Sequence, residues 1–150
     1  MNHRILTSKL EYYGIRGTHK TLINSYLKER YQQVTITGKT NVHYSRWELI
    51  KQGVPQGSIL GPLLFLLYIN DLTTITAENA KLVLYADDTS LIITIDNYTE
   101  FTIKLNNVLK DVQEWFRSNL LILNLNKTTY LQFLTKNKQK IDSNITLMSK

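Results

Sequence analysis

Apolar residues recur along the chain with two periods, and the switch between them marks the elements. After Thr18, which can serve as a cap, Leu22, Ile23, Tyr26 and Leu27 fall on one face of a helix running to about Arg30. Val34 and Ile36 alternate with polar neighbours over residues 31–37, a strand pattern. Gly38-Lys39 is a turn, and residues 41–50 read as the hairpin partner. Gly53, Pro55 and Gly57 then make a loop. Pro62 suits the first turn of a helix through Asp71, because that turn leaves its amides unbonded anyway.

The second half follows the same logic. Residues 81–85 and 90–95 are short apolar strands. Asn97 with Glu100 three residues on is a capping-box pattern. The helix behind it aligns Phe101, Leu105, Val108, Leu109, Val112, Trp115 and Phe116 on one face, so the Trp115-Phe116 pair reads as core. Residues 120–125 and 129–134 are further strand candidates. The predicted class is α+β, an antiparallel sheet with helices packed on one face. There is no internal repeat, and the polar last dozen residues are expected to fray.

Composition narrows the classes. A chain of 150 residues, 43% hydrophobic and 20% charged, fits one domain with a buried core. Cysteine is absent, which excludes a disulfide framework, a thiolate metal site and a cysteine nucleophile. The most apolar run, residues 59–69, has eleven residues and contains Gly61 and Pro62, whereas a spanning helix needs about 20. No signal peptide is apparent. The expectation is an intracellular chain, nuclear or cytoplasmic, with no membrane partner.

The net charge of +6 is unevenly spread. Residues 1–51 carry +6, residues 52–100 carry −5 and residues 101–150 carry +5. Basic flanks suit a polyanion, and an acidic centre suits a divalent cation. The same distribution also arises from ordinary solvated faces.

Asp87 and Asp88 lie between the two most strand-like runs, where a hairpin places both at its turn. Asp is common in turns for conformational reasons alone. The chemical reading is a magnesium site, since this hard cation takes carboxylates plus substrate phosphates. Two such ions about 3.5–4 Å apart can clamp the attacking and leaving oxygens of a phosphoryl transfer. Neighbouring strand residues face opposite ways, so one Asp ligates directly and the other assists. Such a site needs another carboxylate from a different strand.

Other motifs fail. Gly38-Lys39-Thr40 is not a P-loop, because Gln33 stands where the first glycine belongs and a strand follows. No Gly-x-Ser-x-Gly exists. His3, His19 and His43 lack metal-ligand spacing and read as surface or half-buried residues. The Asn97, Asn126 and Asn144 sequons would matter only in a secreted protein.

The loop Gly53-Val54-Pro55-Gln56-Gly57-Ser58-Ile59-Leu60-Gly61-Pro62, taken with Tyr85-Ala86-Asp87-Asp88, resembles reverse transcriptases of non-LTR, jockey-like retrotransposons. The Leu60-Gly61-Pro62 ending resembles that group rather than group II intron enzymes. Tyr13-Gly14-Ile15-Arg16-Gly17 is similar to the segment after the family's first catalytic motif. Tyr68-Ile69-Asn70-Asp71-Leu72 and Asn124-Leu125-Asn126-Lys127-Thr128 are similar to later ones, in the right order.

The resemblance implies a polymerase palm. It implies a two-metal Mg²⁺ site with Asp87 as ligand and Asp88 beside it. Gln56 and Gly57 would lie along the template and incoming nucleotide, with Pro55 and Ser58 shaping the loop. Lys127 is a candidate proton donor to the leaving pyrophosphate, although a lone Lys is also an ordinary turn charge. The implied partners are an RNA template, a DNA primer and deoxynucleoside triphosphates. The family's first motif, with its metal-binding Asp followed by Ala-Phe-Asp, has no counterpart here, nor do complete fingers or a thumb. Residues 1–150 are therefore expected to be a partial reverse transcriptase domain, a palm core inactive alone. The alternative is a non-catalytic retrotransposon remnant with at most nonspecific nucleic-acid binding.

Overall fold

Asn2 opens the first helix: its Oδ1 accepts hydrogen bonds from the amides of Arg4 (3.0 Å) and Ile5 (3.2 Å), an N-cap in the position where Asn is favoured. In the computed structural model, which describes residues 1–76, 80–94 and 98–133, the helices are α1 (His3–Tyr12), α2 (Gly17–Leu27), α3 (Leu60–Ile69), α4 (Leu72–Ile75) and α5 (Tyr98–Ser118). The strands are β1 (Tyr31–Gln32), β2 (Thr35–Thr37), β3 (Val42–Tyr44), β4 (Glu48–Leu49), β5 (Lys81–Tyr85) and β6 (Asp88–Ile92). The chain divides into two compact units, Met1–Ile69 and Asn70–Lys150.

In the first unit α1 packs on α2 and α3. Leu6, Leu10, Leu27, Leu64, Tyr68 and Ile69 are buried. Helix α1 stops where Gly14 (φ +84°) takes the left-handed conformation. The amides of Ile15 and Gly14 then reach back to the carbonyls of Leu10 (2.8 Å) and Glu11 (3.0 Å), the Schellman pattern. The predicted 31–50 hairpin forms in two short ladders: β1 pairs antiparallel with β4, and β2 with β3. Its turn is closed by the Gly38 amide donating to the Asn41 carbonyl (2.8 Å).

In the second unit α4 contacts both α5 and β5. The predicted apolar face of α5 is observed, with Leu105, Val108, Val112 and Trp115 buried and Phe101, Leu109 and Phe116 half-buried. Trp115 and Phe116 meet edge-to-face, their centroids 5.3 Å apart. Among the described residues no helix is long and apolar enough to cross a membrane.

Five expectations need correction. The described residues form three separate two-stranded antiparallel sheets, not one sheet covered on one face. Thr18 does not cap α2: the N-cap is Arg16, without a side-chain hydrogen bond. The helix expected through Asp71 ends at Ile69, and Asp71 stands at the N-cap of α4. Residues 120–125 form no strand. Leu120 is left-handed (φ +51°), and the amides of Leu121 and Leu120 bond the carbonyls of Phe116 (2.9 Å) and Arg117 (3.1 Å). That Schellman turn ends α5, and Leu125–Lys127 is a 3-10 turn. Residues 129–133 are likewise not a strand. Ile95, Asn97 of the capping box, Leu134, Asn144 of the third sequon and the last dozen residues lie outside the described residues.

Candidate functional site

Strands β5 and β6 pair in unbroken register from Lys81↔Ile92 to Tyr85↔Asp88. Only Ala86 and Asp87 remain for the loop, which makes this a two-residue hairpin. Ala86 carries a positive φ of 51°, at the first loop position, where the type II′ class puts its positive φ. Asp87 is the second loop residue and Asp88 the first of β6, so one carboxylate sits in the turn and the other on the ladder. Leu82, Leu84 and Leu91 share the half-buried face, and this fixes the register. Asp88 falls on the open face, opposite Tyr85, whose ring is 80% exposed.

Both carboxylates are exposed, and among the described residues neither makes a hydrogen bond or ion pair. Nor do three or more His, Asp, Glu or Cys side chains gather anywhere among the described residues. Two adjacent unpaired carboxylates, one in the turn and one on the ladder, suit Mg²⁺, which keeps waters and takes substrate phosphates instead of a full protein cage.

The glycine loop lies in the other unit and is held by α1. The Gly53 amide donates to the Met1 carbonyl (2.7 Å), and His3 Nε2 lies 2.7 Å from the Gly53 carbonyl oxygen. Asn2 and Gln52 form a bridge beside them. Gln56 and Gly57 are the central residues of a β-turn closed by the Ser58 amide on the Pro55 carbonyl (3.3 Å). Gly57 has φ +78°, the type II value at that position. Both central residues are exposed, and Pro55 is half-buried. Ser58 Oγ accepts from the Gly61 amide (3.1 Å), which satisfies one of the open amides in the first turn of α3. A Cβ at Gly61 would lie 3.0 Å from Ser58 Oγ and 3.2 Å from Val54 Cγ2, a tight fit that both side chains would have to ease by a few tenths of an ångström.

Helix α1 also grips the far end of α3. The Asn2 amide donates to Tyr68 Oη (3.2 Å), and Lys9 Nζ donates to the Tyr68 carbonyl (2.6 Å) while lying 4.9 Å from its ring centroid. No local pattern points to the parts played by His3, Lys9 and Tyr68. Their contacts join residues 50 to 66 positions apart. His3 is thus half-buried, within the expected surface or half-buried range, and it tethers the loop through Gly53.

Lys127 is exposed, at the end of the 3-10 turn, and makes no ion pair among the described residues. Residues 55–58 thus come together on one loop, and Asp87 with Asp88 on one hairpin.

Residues 1–142 match the family described as reverse transcriptase (RNA-dependent DNA polymerase). The chain is 29% identical over 121 residues to the RNA-directed DNA polymerase from mobile element jockey of Drosophila melanogaster, a match covering 77% of this chain and 13% of that protein. It is 30% identical over 142 residues to a probable RNA-directed DNA polymerase from transposon BS of the same organism, covering 91% and 14%. The chain therefore spans about a seventh of the length of either relative. No solved structure matches it.

Proposed function

Because the chain belongs to the reverse transcriptase family, we propose that it is part of an RNA-directed DNA polymerase, contributing the metal-binding hairpin and the loop that precedes α3. The observation that carries this reading is the Asp87-Asp88 pair, two exposed carboxylates free of cations at the tip of a fully registered hairpin. Asp87 would hold Mg²⁺ with Asp88 beside it, and the ion when bound neutralises charge on the transferring phosphoryl group. Gln56 offers an amide that both donates and accepts, and Gly57 lets backbone approach closely, which suits contact with template and incoming nucleotide. Pro55 and Ser58 hold that turn in shape. Lys127, exposed at the end of the 3-10 turn, is the candidate donor to the leaving pyrophosphate. The substrates on this reading are an RNA template, a DNA primer and deoxynucleoside triphosphates.

Two carboxylates give only part of the electrostatic clamp, so the 150-residue chain alone is expected not to extend a primer. The test is to read the genomic DNA and transcript upstream of the first codon, then assay the longest open product. A frame running into an Asp followed by Ala-Phe-Asp, with RNA-templated deoxynucleotide incorporation lost in Asp87→Asn, is the expected result. A stop codon or frameshift there, or an inactive product with Asp87 intact, defeats the polymerase reading and leaves a non-catalytic remnant.

A further inference from the structure

The hairpin formed by β1 to β4 has no part in the proposed chemistry, and it exposes three aromatic rings within twenty residues. Tyr44 and Trp47 are each 65% exposed, and Tyr31 is 58% exposed. Aromatic side chains in that number are costly to leave in water unless something covers them. The charge around them selects the cover. Residues 28–51 contain five Lys/Arg and two acids, and the whole first unit carries +6. Lys39 lies in the hairpin turn and Arg46 adjoins Trp47, both exposed and without an acidic partner among the described residues. Arg30 is already ordered at the base of the hairpin, where its Nε donates to the Tyr26 carbonyl (2.9 Å) and its guanidinium lies over the Tyr26 ring.

Exposed aromatic faces interleaved with unpaired cations are what a single-stranded polynucleotide requires. Bases stack on the rings while Lys and Arg meet the phosphates, with no need for base-specific hydrogen bonds. An acidic protein partner would also meet the cations and bury the rings; a polynucleotide offers a phosphate for each cation and a flat base for each ring, which matches the +6 charge of this unit. We propose that the hairpin of residues 31–50 is a docking surface for single-stranded nucleic acid, with Tyr44 and Trp47 stacking on bases and Lys39 and Arg46 meeting phosphates. The proposal rests on the polymerase reading only in naming the unpaired template strand as the source of that nucleic acid; the binding itself needs neither Asp87 nor Asp88.

The chain supplies its own reporter. Trp47 is open to solvent and Trp115 is 5% exposed, so a stacking base quenches the first and spares the second. A fluorescein-labelled single-stranded RNA of about twelve nucleotides, within the usual site size, is titrated with the 150-residue chain while tryptophan emission and label anisotropy are followed. The expected result is saturable binding with quenching, weakened about 5- to 100-fold in Trp47→Ala and in Tyr44→Ala. Lys39→Gln and Arg46→Gln are each expected to reduce the slope of log affinity against log salt by about 0.7. Circular dichroism of each variant excludes unfolding, and Glu114→Gln, exposed on α5, is expected to bind as the parent does. Absence of binding at low salt overturns the proposal. So does binding that Trp47→Ala leaves unchanged, or equal binding to polyglutamate, either of which assigns this face to protein. Trp47-dependent binding supports the platform even if every longer product is inactive, so the two readings fail separately.

Discussion

His3 and Gly53, fifty residues apart, meet with the His3 Nε2 2.7 Å from the Gly53 carbonyl oxygen. A carbonyl only accepts, so the imidazole carries its proton on Nε2. Replacing it removes one of the ties between α1 and the loop that starts at Gly53. His3→Ala is expected to cost about 1 kcal/mol. Hydrogen exchange should speed up at Gly53 and Val54 and stay unchanged at the buried Leu64 in α3. Equal acceleration at both places would show that His3 stabilises the unit as a whole instead of tethering the loop.

Gly57 is required for its backbone and not for its size. A Cβ added there meets nothing within 4 Å, but φ is +78°. Gly57→Ala is expected to lose about 1–2 kcal/mol in urea unfolding, and Gly57→Asn less, because Asn tolerates the left-handed region. Equal losses from the two variants would contradict this.

Among the described residues, three other than glycine sit where glycine is at ease, Glu29 (φ +54°), Ala86 and Leu120, and the last two offer the clearest test. Ala86 and Leu120 both have φ +51°, one in the two-residue hairpin loop and the other ending α5. Ala86→Gly and Leu120→Gly are each expected to raise the melting temperature, by relief of about 1 kcal/mol of strain less the added freedom of the unfolded chain. Leu120 is mostly exposed, so little packing is lost with it. A lower melting temperature in both variants would refute the strain argument.

Glu11 is held below the usual carboxylate range by the hydrogen bond from Lys20 and by that residue's charge, with Arg16 adding a smaller part. A depressed folded pKa means the pair supports the fold above the ordinary Glu range and loses that support as pH falls through the depressed value. Both partners reach solvent, so the effect is small and weakens with salt. An NMR titration should show the Glu11 carboxyl returning toward its ordinary value in Lys20→Met. No movement would mean that Lys20 is not the cause.

What was legible in the sequence was whatever is decided locally. Strand β5 has the predicted bounds, because five residues of apolar character between turn formers leave little choice. The long helix shows its predicted face, because Leu105, Val108, Val112 and Trp115 repeat at helical spacing. The hairpin carrying Asp87 and Asp88 was readable for the same reason, but its second strand runs over Asp88–Ile92 and not from 90 onward, so Asp88 stands on the ladder and only Asp87 in the turn; their role rests on the family resemblance. Residues 120–125 misled because an apolar run is a strand only if it finds a partner, and the left-handed turn at Leu120 closes the helix there instead. The grip of α1 on the loop was hidden, since no local pattern links His3 to Gly53 or Asn2 to Tyr68.

The three separate ladders have a consequence for how the chain behaves in solution. Each strand among the described residues is paired on one side only, so every one of the six is an edge strand with a row of backbone donors and acceptors still open. Such edges invite a further strand, from a neighbouring segment of a longer polypeptide or from a second copy of the chain. Lys81 and Asp88 on the β5–β6 ladder place charges along two of these edges. The β2–β3 ladder has only Thr, Ile, Val, His and Tyr, and there self-association at high concentration meets the least resistance.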